Sequence, residues 1–183
     1  MRQQLKIPEA ANVVAYVGSG FERKGVAVLL EAVARVKAET WAVVVGADKR
    51  AARYARRART LGIADRVRFV GAASDVRPYY AAADSFALPS LYDPFPNAAL
   101  EAMACGLPVV TSTKCGTSEL VREGENGFVR DALDTPGLAE ALARLDPPTA
   151  RRLGENARET VVPLTPESMA REYIDLYTRL LRK

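Results

Sequence analysis

Ala83 to Gly116 reads ADSFALPSLYDPFPNAALEAMACGLPVVTSTKCG. It opens with a short apolar run, Ser85 to Leu88, that fits a buried parallel strand ending at Pro89 and Ser90. A loop follows from Leu91 to Pro96, with Asp93 in its middle and prolines on either side. Asn97 to Ala104 is Ala-rich and is closed by Gly106, so it predicts a helix. Pro108 to Ser112 supplies the next strand. This is a strand–helix–strand unit with two carboxylates at its loop-to-helix junction, Asp93 before the helix and Glu101 within it. Their spacing of eight positions can aim one acid from the loop and one from the helix into the same crevice. Between them lie the free N–H groups of a helix start, a natural site for an anion.

Outward from this unit the chain alternates regularly. Further apolar β-type runs fall at Val13–Val17, Trp41–Val45, Val67–Val70 and Gly127–Val129, beside the strand at Val109–Thr111. Helical patterns fall at Gly25–Lys37, Ala51–Leu61, Asp75–Ala83 and Thr117–Arg122. Such alternation predicts an α/β fold, a doubly wound, Rossmann-like sheet of six parallel strands with helices on both faces. The usual strand order for that architecture is 3-2-1-4-5-6, which makes the first and fourth strands neighbours at the switch point. The loops Gly18–Gly25 and Ser90–Asn97 are therefore predicted to face each other. After Asp134 three helical stretches follow, Thr135–Arg144, Thr149–Val161 and Pro166–Leu181, punctuated by Pro147-Pro148 and by Pro163 to Pro166.

The run D-P-F-P-N-A-A-L-E-A-M-A-C-G-L-P-V-V resembles the E-x7-E block of the retaining GT-B glycosyltransferases of family 4. Here the first acid is Asp93 where the family usually has Glu, which shortens its reach by one methylene. The first loop, V-G-S-G-F-E-R-K-G, allows two readings on its own residues: a tight turn followed by solvated charges, or Gly18 and Gly20 admitting a ligand close to the backbone. It is neither a Walker loop nor G-x-G-x-x-G. In the family the lysine of the K-G pair holds the donor diphosphate, and Lys24 is the matching residue. Ser19 stands where the family usually has Arg, and Arg23 is placed to replace that charge. The loop S-x-F-x-R-K-G, with V-V-V-G-A-D-K and L-P-V-V-T-S-T-K-C-G, is similar to the lipopolysaccharide-core heptose α-1,3-glucosyltransferases. That likeness adds Lys49 as a weaker candidate beside the donor.

The resemblance implies a reaction and a set of roles. Lys24, Arg23 and the helix start at Phe95, Pro96 and Asn97 would stabilise charge growing on a departing nucleoside diphosphate. Glu101, acceptor-only when ionised, would take the two ribose hydroxyls. Asp93 would accept from donor-sugar hydroxyls and help set the developing oxocarbenium. Asp93, Glu101, Lys24 and Arg23 are thus the expected catalytic set, and Gly18, Ser19, Gly20, Lys49, Gly71, Val76, Phe95, Pro96 and Asn97 the expected donor-binding set. Front-side attack, with the donor phosphate accepting the acceptor's proton, needs no protein nucleophile. No cofactor or metal is expected; the substrate is a UDP-sugar, with ADP- and GDP-sugars open because the base would be met by backbone near Gly71 and Val76. On its own residues the latter segment also reads as a strand end followed by a helix capped by Ser74. Ser112-Thr113 and Gly116 to Glu119 resemble the segment whose amides approach the donor sugar; Glu119 is equally readable as a capping-box residue.

Composition narrows the rest. The 183 residues are 49% apolar and 26% charged, enough for one packed α/β domain. A net charge of +4 suits anionic ligands without demanding nucleic acid, and no aromatic interleaving accompanies the basic run KRAARYARRAR at Lys49–Arg59. Ala51, Tyr54, Ala58 and Leu61 share a stripe of that run, leaving Arg50, Arg53 and Arg57 outward as a solvated face or a contact for anionic lipid or glycolipid phosphate. With no histidine, imidazole chemistry is excluded. Cys105 and Cys115 lack ligand spacing and read as reduced thiols, which points to the cytoplasm. No apolar run is long enough to span a membrane, so contact with the inner face of the cytoplasmic membrane would be peripheral.

The resemblance covers nearly the whole chain and maps to the donor-binding, C-terminal half of the GT-B fold. It implies one donor-binding domain over residues 1–183, with 1–12 as an interdomain linker remnant and 166–183 as a helix that crosses to the other half. The expected partners are a nucleotide-sugar donor, a glycan or glycolipid acceptor, and an acceptor-binding domain not contained in this sequence, without which the chain would be nearly inactive. The expected function is transfer of a hexose, glucose first, to a cell-surface glycan or lipopolysaccharide. The alternative is a non-catalytic nucleotide-binding or regulatory module of the same fold. A Rossmann oxidoreductase fits poorly, because the glycine fingerprint is absent and Asp48 is the nearest acid to the required position.

Overall fold

A computed structural model describes residues 1–36 and 39–182. The strands are β1 (Asn12–Val17), β2 (Thr40–Val45), β3 (Val67–Gly71), β4 (Ser85–Leu88), β5 (Val109–Ser112) and β6 (Gly127–Arg130). All pair in parallel, in the order β3-β2-β1-β4-β5-β6. Burial follows position in that order. The four inner strands are buried along almost their whole length, while β3 and β6 at the edges are partly exposed. This is why the inner strands read as continuous apolar runs rather than alternating ones. Burying one such side chain, Phe86 or Leu88, contributes roughly 1.5–3 kcal/mol.

Between and after the strands run α1 (Val26–Arg35), α2 (Ala51–Thr60), α3 (Arg77–Ala81), α4 (Asn97–Ala104), α5 (Thr135–Ala143), α6 (Pro147–Val161) and α7 (Pro166–Leu181). α1 packs on α5 and α2, and α4 on α6. The winding reverses after β3, so these two groups cover opposite faces of the sheet. Val14 lies opposite Ser85 and Ala15 opposite Phe86 across the reversal.

Local signals set most boundaries. Gly106 adopts φ 78° just past α4, with its N–H on Met103 O and that of Leu107 on Ala102 O, a Schellman closure. Asp134 caps α5 through Gly137 N, Asp146 caps α6 through Thr149 N, and Thr165 and Ser168 form a capping box at α7. α6 begins two residues before the predicted Thr149, because Pro147 and Pro148 occupy first-turn positions that need no N–H donor. The predicted end of α1 at Lys37 lies outside the described residues. Two expectations are corrected. The segment predicted as a helix over Thr117–Arg122 is a 3-10 turn over Gly116–Leu120, preceded by Cys115 with no side-chain cap, so Glu119 completes no capping box. Ser74 caps nothing: α3 starts after Val76 without a side-chain cap, and the Asp75 carboxylate accepts instead from Arg77 N and Nε.

The first eleven residues are fixed by Arg2. Its guanidinium donates to the carbonyls of Ala82, Glu9 and Ala11 and to Asp84 Oδ2, which also accepts from Val13 N. α7 has no buried residue, and Met169, Tyr173, Leu176, Tyr177 and Leu180 all stand exposed along it. Tyr54 and Ala58 of α2 face inward as expected, and two arginines of the basic run find acids: Arg50, just before α2, pairs with Glu22 and Arg57 with Glu31. No helix among the described residues is long and apolar enough to cross a membrane.

Candidate functional site

The loop after β1 and the loop after β4 meet at the switch point and bond directly. Leu91 N donates to Arg23 O at 2.8 Å, and Arg23 Nη1 donates to Tyr92 O at 2.6 Å. The approach depends on Gly25, the residue before α1. It holds φ 76°, and a Cβ there would sit 2.0 Å from Pro89 O at the end of β4. Gly18 does a related service, since its missing side chain leaves the space that the Lys24 stem occupies; a Cβ would be 2.9 Å from Lys24 Cδ. Lys24 is thereby folded back over its own loop.

What Lys24 meets there is Asp93. Asp93 Oδ2 lies 3.0 Å from Lys24 Nζ and 3.4 Å from Arg23 Nη1. The contacts are ionic, since no donor reaches that oxygen at a hydrogen-bonding angle. Asp93 is 7% exposed, and its backbone is held on both sides, N–H on Lys114 O and carbonyl on Gly116 N. A largely desolvated carboxylate needs such compensation. Two cations face one anion, so the cluster keeps one net positive charge.

α4 begins immediately beyond. Pro96 precedes its first turn, which carries no capping side chain and no acid. Its leading N–H groups are therefore available to an anion, favoured further by the helix dipole. Phe95 and Asn97 are exposed at this entrance, while Pro96 is buried. Glu101, one turn further along α4, is exposed, and its Oε2 accepts from the hydroxyl of Tyr80 on α3 at 3.0 Å.

The remaining expected residues spread along the same C-terminal edge of the sheet. Gly20, Arg23, Asp48, Lys49 and Arg50 line an open depression of about 400 Å³, which places Lys49 beside the first loop. Ser19 is exposed on that loop. Gly71 ends β3, its carbonyl accepting from Gly46 N, and Val76 is half-buried at the start of α3. Thus Lys24 and Arg23 both meet Asp93, Gly18, Ser19 and Gly20 lie on the same first loop with Lys49 beside it, and Glu101 is held separately by α3.

The roles of two residues emerge only in three dimensions. Asp48 spends both carboxylate oxygens, accepting from Phe21 N at 2.8 Å and Arg50 N at 2.7 Å, and so ties the first loop to the loop after β2. Tyr80 reaches both Glu101 and the Ala98 carbonyl, and burial, with the Glu101 charge second, pushes its phenol well above the ordinary range. Within its short helix Tyr80 looks like any core aromatic, and no sequence signal marks its hydroxyl. Both cysteines are free; Cys115 is buried against Thr117, and burial above all pushes the Cys105 thiol up.

The model of the glycosyl transferases group 1 family matches residues 1–160. A lipopolysaccharide core biosynthesis glycosyltransferase of Rhizobium meliloti, LpsE, is 37% identical over 183 residues, covering 98% of this chain and 52% of the relative. Among solved structures, the sucrose-phosphate synthase of Thermosynechococcus elongatus superposes with a TM-score of 0.85 at 36% identity, covering 99% of this chain and 48% of that one. Anabaena HepE in complex with UDP-glucose superposes with a TM-score of 0.80 at 30% identity, covering 87% and 46%. The chain spans about half the length of the curated relatives it matches.

Proposed function

The chain belongs to the glycosyl transferases group 1 family, and from this we propose that it is the donor-binding domain of a retaining glycosyltransferase that uses a UDP-hexose, UDP-glucose first. The observation that carries the reading is the Lys24–Asp93 pair at the switch point, directly before the uncapped start of α4. A nucleoside diphosphate leaving group gains negative charge as the bond to the anomeric carbon breaks. Lys24, Arg23 and the α4 N–H groups are fixed donors aimed at that region, and they favour the departing diphosphate more than the intact donor. This compensation assigns no role to a metal. Asp93 would take donor-sugar hydroxyls and steady positive charge at the anomeric carbon, while Glu101 would accept from the ribose. Gly71, Val76, Phe95, Pro96 and Asn97 would contribute mainly backbone and shape.

The 37% identity with LpsE supports a lipopolysaccharide or other cell-surface glycan as the acceptor class. The acceptor site would lie on the half of the relatives that this sequence does not span, with residues 1–12 leading from it and the exposed stripe of α7 returning to it. Catalysis would take place on the cytoplasmic side of the membrane.

Calorimetric titration with UDP, ADP, GDP and UDP-glucose tests the reading, with wild type beside Lys24→Ala and Glu101→Ala. Each lost charged contact should cost about 1.5–3 kcal/mol, about tenfold or more in affinity. A folded chain that binds no nucleotide, or that binds equally well without Lys24 and Glu101, would overturn it.

A further inference from the structure

Glu101 stands exposed on α4, where a glutamate ordinarily samples several rotamers. Here one of its oxygens is held from below. Tyr80 is 1% exposed, its ring packs edge-on against Phe86 with centroids 6.0 Å apart, and its hydroxyl lies 3.0 Å from Glu101 Oε2 and 3.1 Å from Ala98 O. An ionised carboxylate can only accept, so the phenol must be the donor. Ala98 O has a second claim on the same proton, but a carbonyl in the first turn of α4 also receives the helix's own bonds. The tyrosine is anchored on a neighbouring element, α3, by burial and by its packing on Phe86.

Resting on the donor-binding reading above, we propose that Tyr80 is a positioning residue that fixes the Glu101 carboxylate for recognition of the nucleotide's ribose hydroxyls. Tyr80 touches no substrate. By occupying one acceptor site on Oε2 it leaves Oε1 and the remaining face of Oε2 open, and it removes rotamer freedom that ribose binding would otherwise have to freeze. The ring alone would satisfy packing against Phe86. The hydroxyl buried beneath an exposed carboxylate is what packing does not require.

The test compares UDP with 2′,3′-dideoxy-UDP by calorimetry on the 183-residue chain, in wild type, Tyr80→Phe, Glu101→Ala and the double variant. Wild type should prefer UDP. Tyr80→Phe should cut that preference by about three- to tenfold while leaving dideoxy-UDP affinity unchanged. In the Glu101→Ala background the same substitution should change nothing, because the coupled partner is gone. A tyrosine that merely packs would weaken both nucleotides alike or neither, and either result overturns the proposal with the donor reading intact. Failure of wild type to bind UDP at all would overturn both. If Tyr80→Phe does not fold, Tyr80→Met, smaller but flexible enough to fill the space, gives the same ratio.

Discussion

Replacing Gly25 by alanine should unsettle the whole switch point, and Gly20 provides an internal control. Both glycines hold left-handed backbone, at φ 76° and 75°. Alanine in that region costs about 1–2 kcal/mol at either position, offset by about 0.4–1 kcal/mol from the loss of unfolded-state freedom. The space around the two differs completely. A Cβ at Gly20 meets nothing within 4 Å, whereas one at Gly25 lies 2.0 Å from Pro89 O and 2.8 Å from Pro89 C. That neighbour is backbone at the end of β4 and cannot rotate away. Relief requires the first loop and β4 to separate, stretching the bond from Leu91 N to Arg23 O and withdrawing Lys24 from Asp93. Overpacking of this kind adds about 1–3 kcal/mol. Gly25→Ala should therefore lie about 1–3 kcal/mol below Gly20→Ala in a urea titration followed by circular dichroism. At this chain length that is roughly 2–12 °C in Tm. UDP affinity should fall with Gly25→Ala, since Arg23 and Lys24 precede the displaced residue. Equal stability of the two variants would refute the reasoning, for it would mean that β4 yields freely to the first loop.

The other expectations concern how α6 is seated and capped. Gly154→Ala would place a Cβ 1.9 Å from Gly106 O, so α6 must lift from the end of α4; a loss of about 1–3 kcal/mol in urea unfolding is expected, with donor binding little changed. Hydrogen bonds from Thr149 hold the Asp146 carboxyl below its ordinary value. Its stabilising contribution is therefore present at neutral pH and is lost as the pH falls below about 4 toward the lowered folded value. Asp146→Ala should flatten that part of the stability-against-pH curve, and an unchanged curve would dismiss the cap.

Much of this was legible because the interior strands leave no ambiguity of period. Val13–Val17, Trp41–Val45 and Ser85–Leu88 are buried on both faces and need only apolar residues, and their alternation with helices leaves few topologies open. The facing of the two loops follows from strand order alone, which is why the segments carrying Lys24 and Asp93, 69 positions apart, could be set opposite each other from the sequence, whereas their ion pair is visible only in the structure. The misreadings share a cause. At Ser74 a good capping residue lost to Asp75, whose carboxylate takes Arg77 N, with Pro78 fixing the start of a helix only five residues long. At Gly116–Leu120 the segment is held by its neighbours: Gly116 donates to Asp93 O, and a Cβ on it would lie 1.7 Å from Pro94 O. Tyr80 and Asp48 could not be found from spacing, because their meaning lies in long-range partners that local pattern does not encode.

The short acid at position 93 gains a physical sense from those partners. Its backbone is clamped between Lys114 and Gly116, so the reach of its side chain is set from a fixed origin. From there an aspartate places Oδ2 3.0 Å from Lys24 Nζ, while the lysine stem is confined by the surface of Gly18. A carboxylate one methylene longer would have to overrun the ammonium or turn outward toward the crevice. With aspartate, the acid and the lysine instead form one unit in the unliganded chain. Each meets part of the other's desolvation cost, and Arg23 at 3.4 Å supplies the second cation that keeps the cluster positive. On the proposed donor-binding reading, an arriving diphosphate would not meet bare cations. It would exchange with Asp93 for Lys24, and the released carboxylate oxygen would then be free to accept from a hydroxyl of the sugar beyond the diphosphate. Donor binding and the arming of the acid would then be the same event.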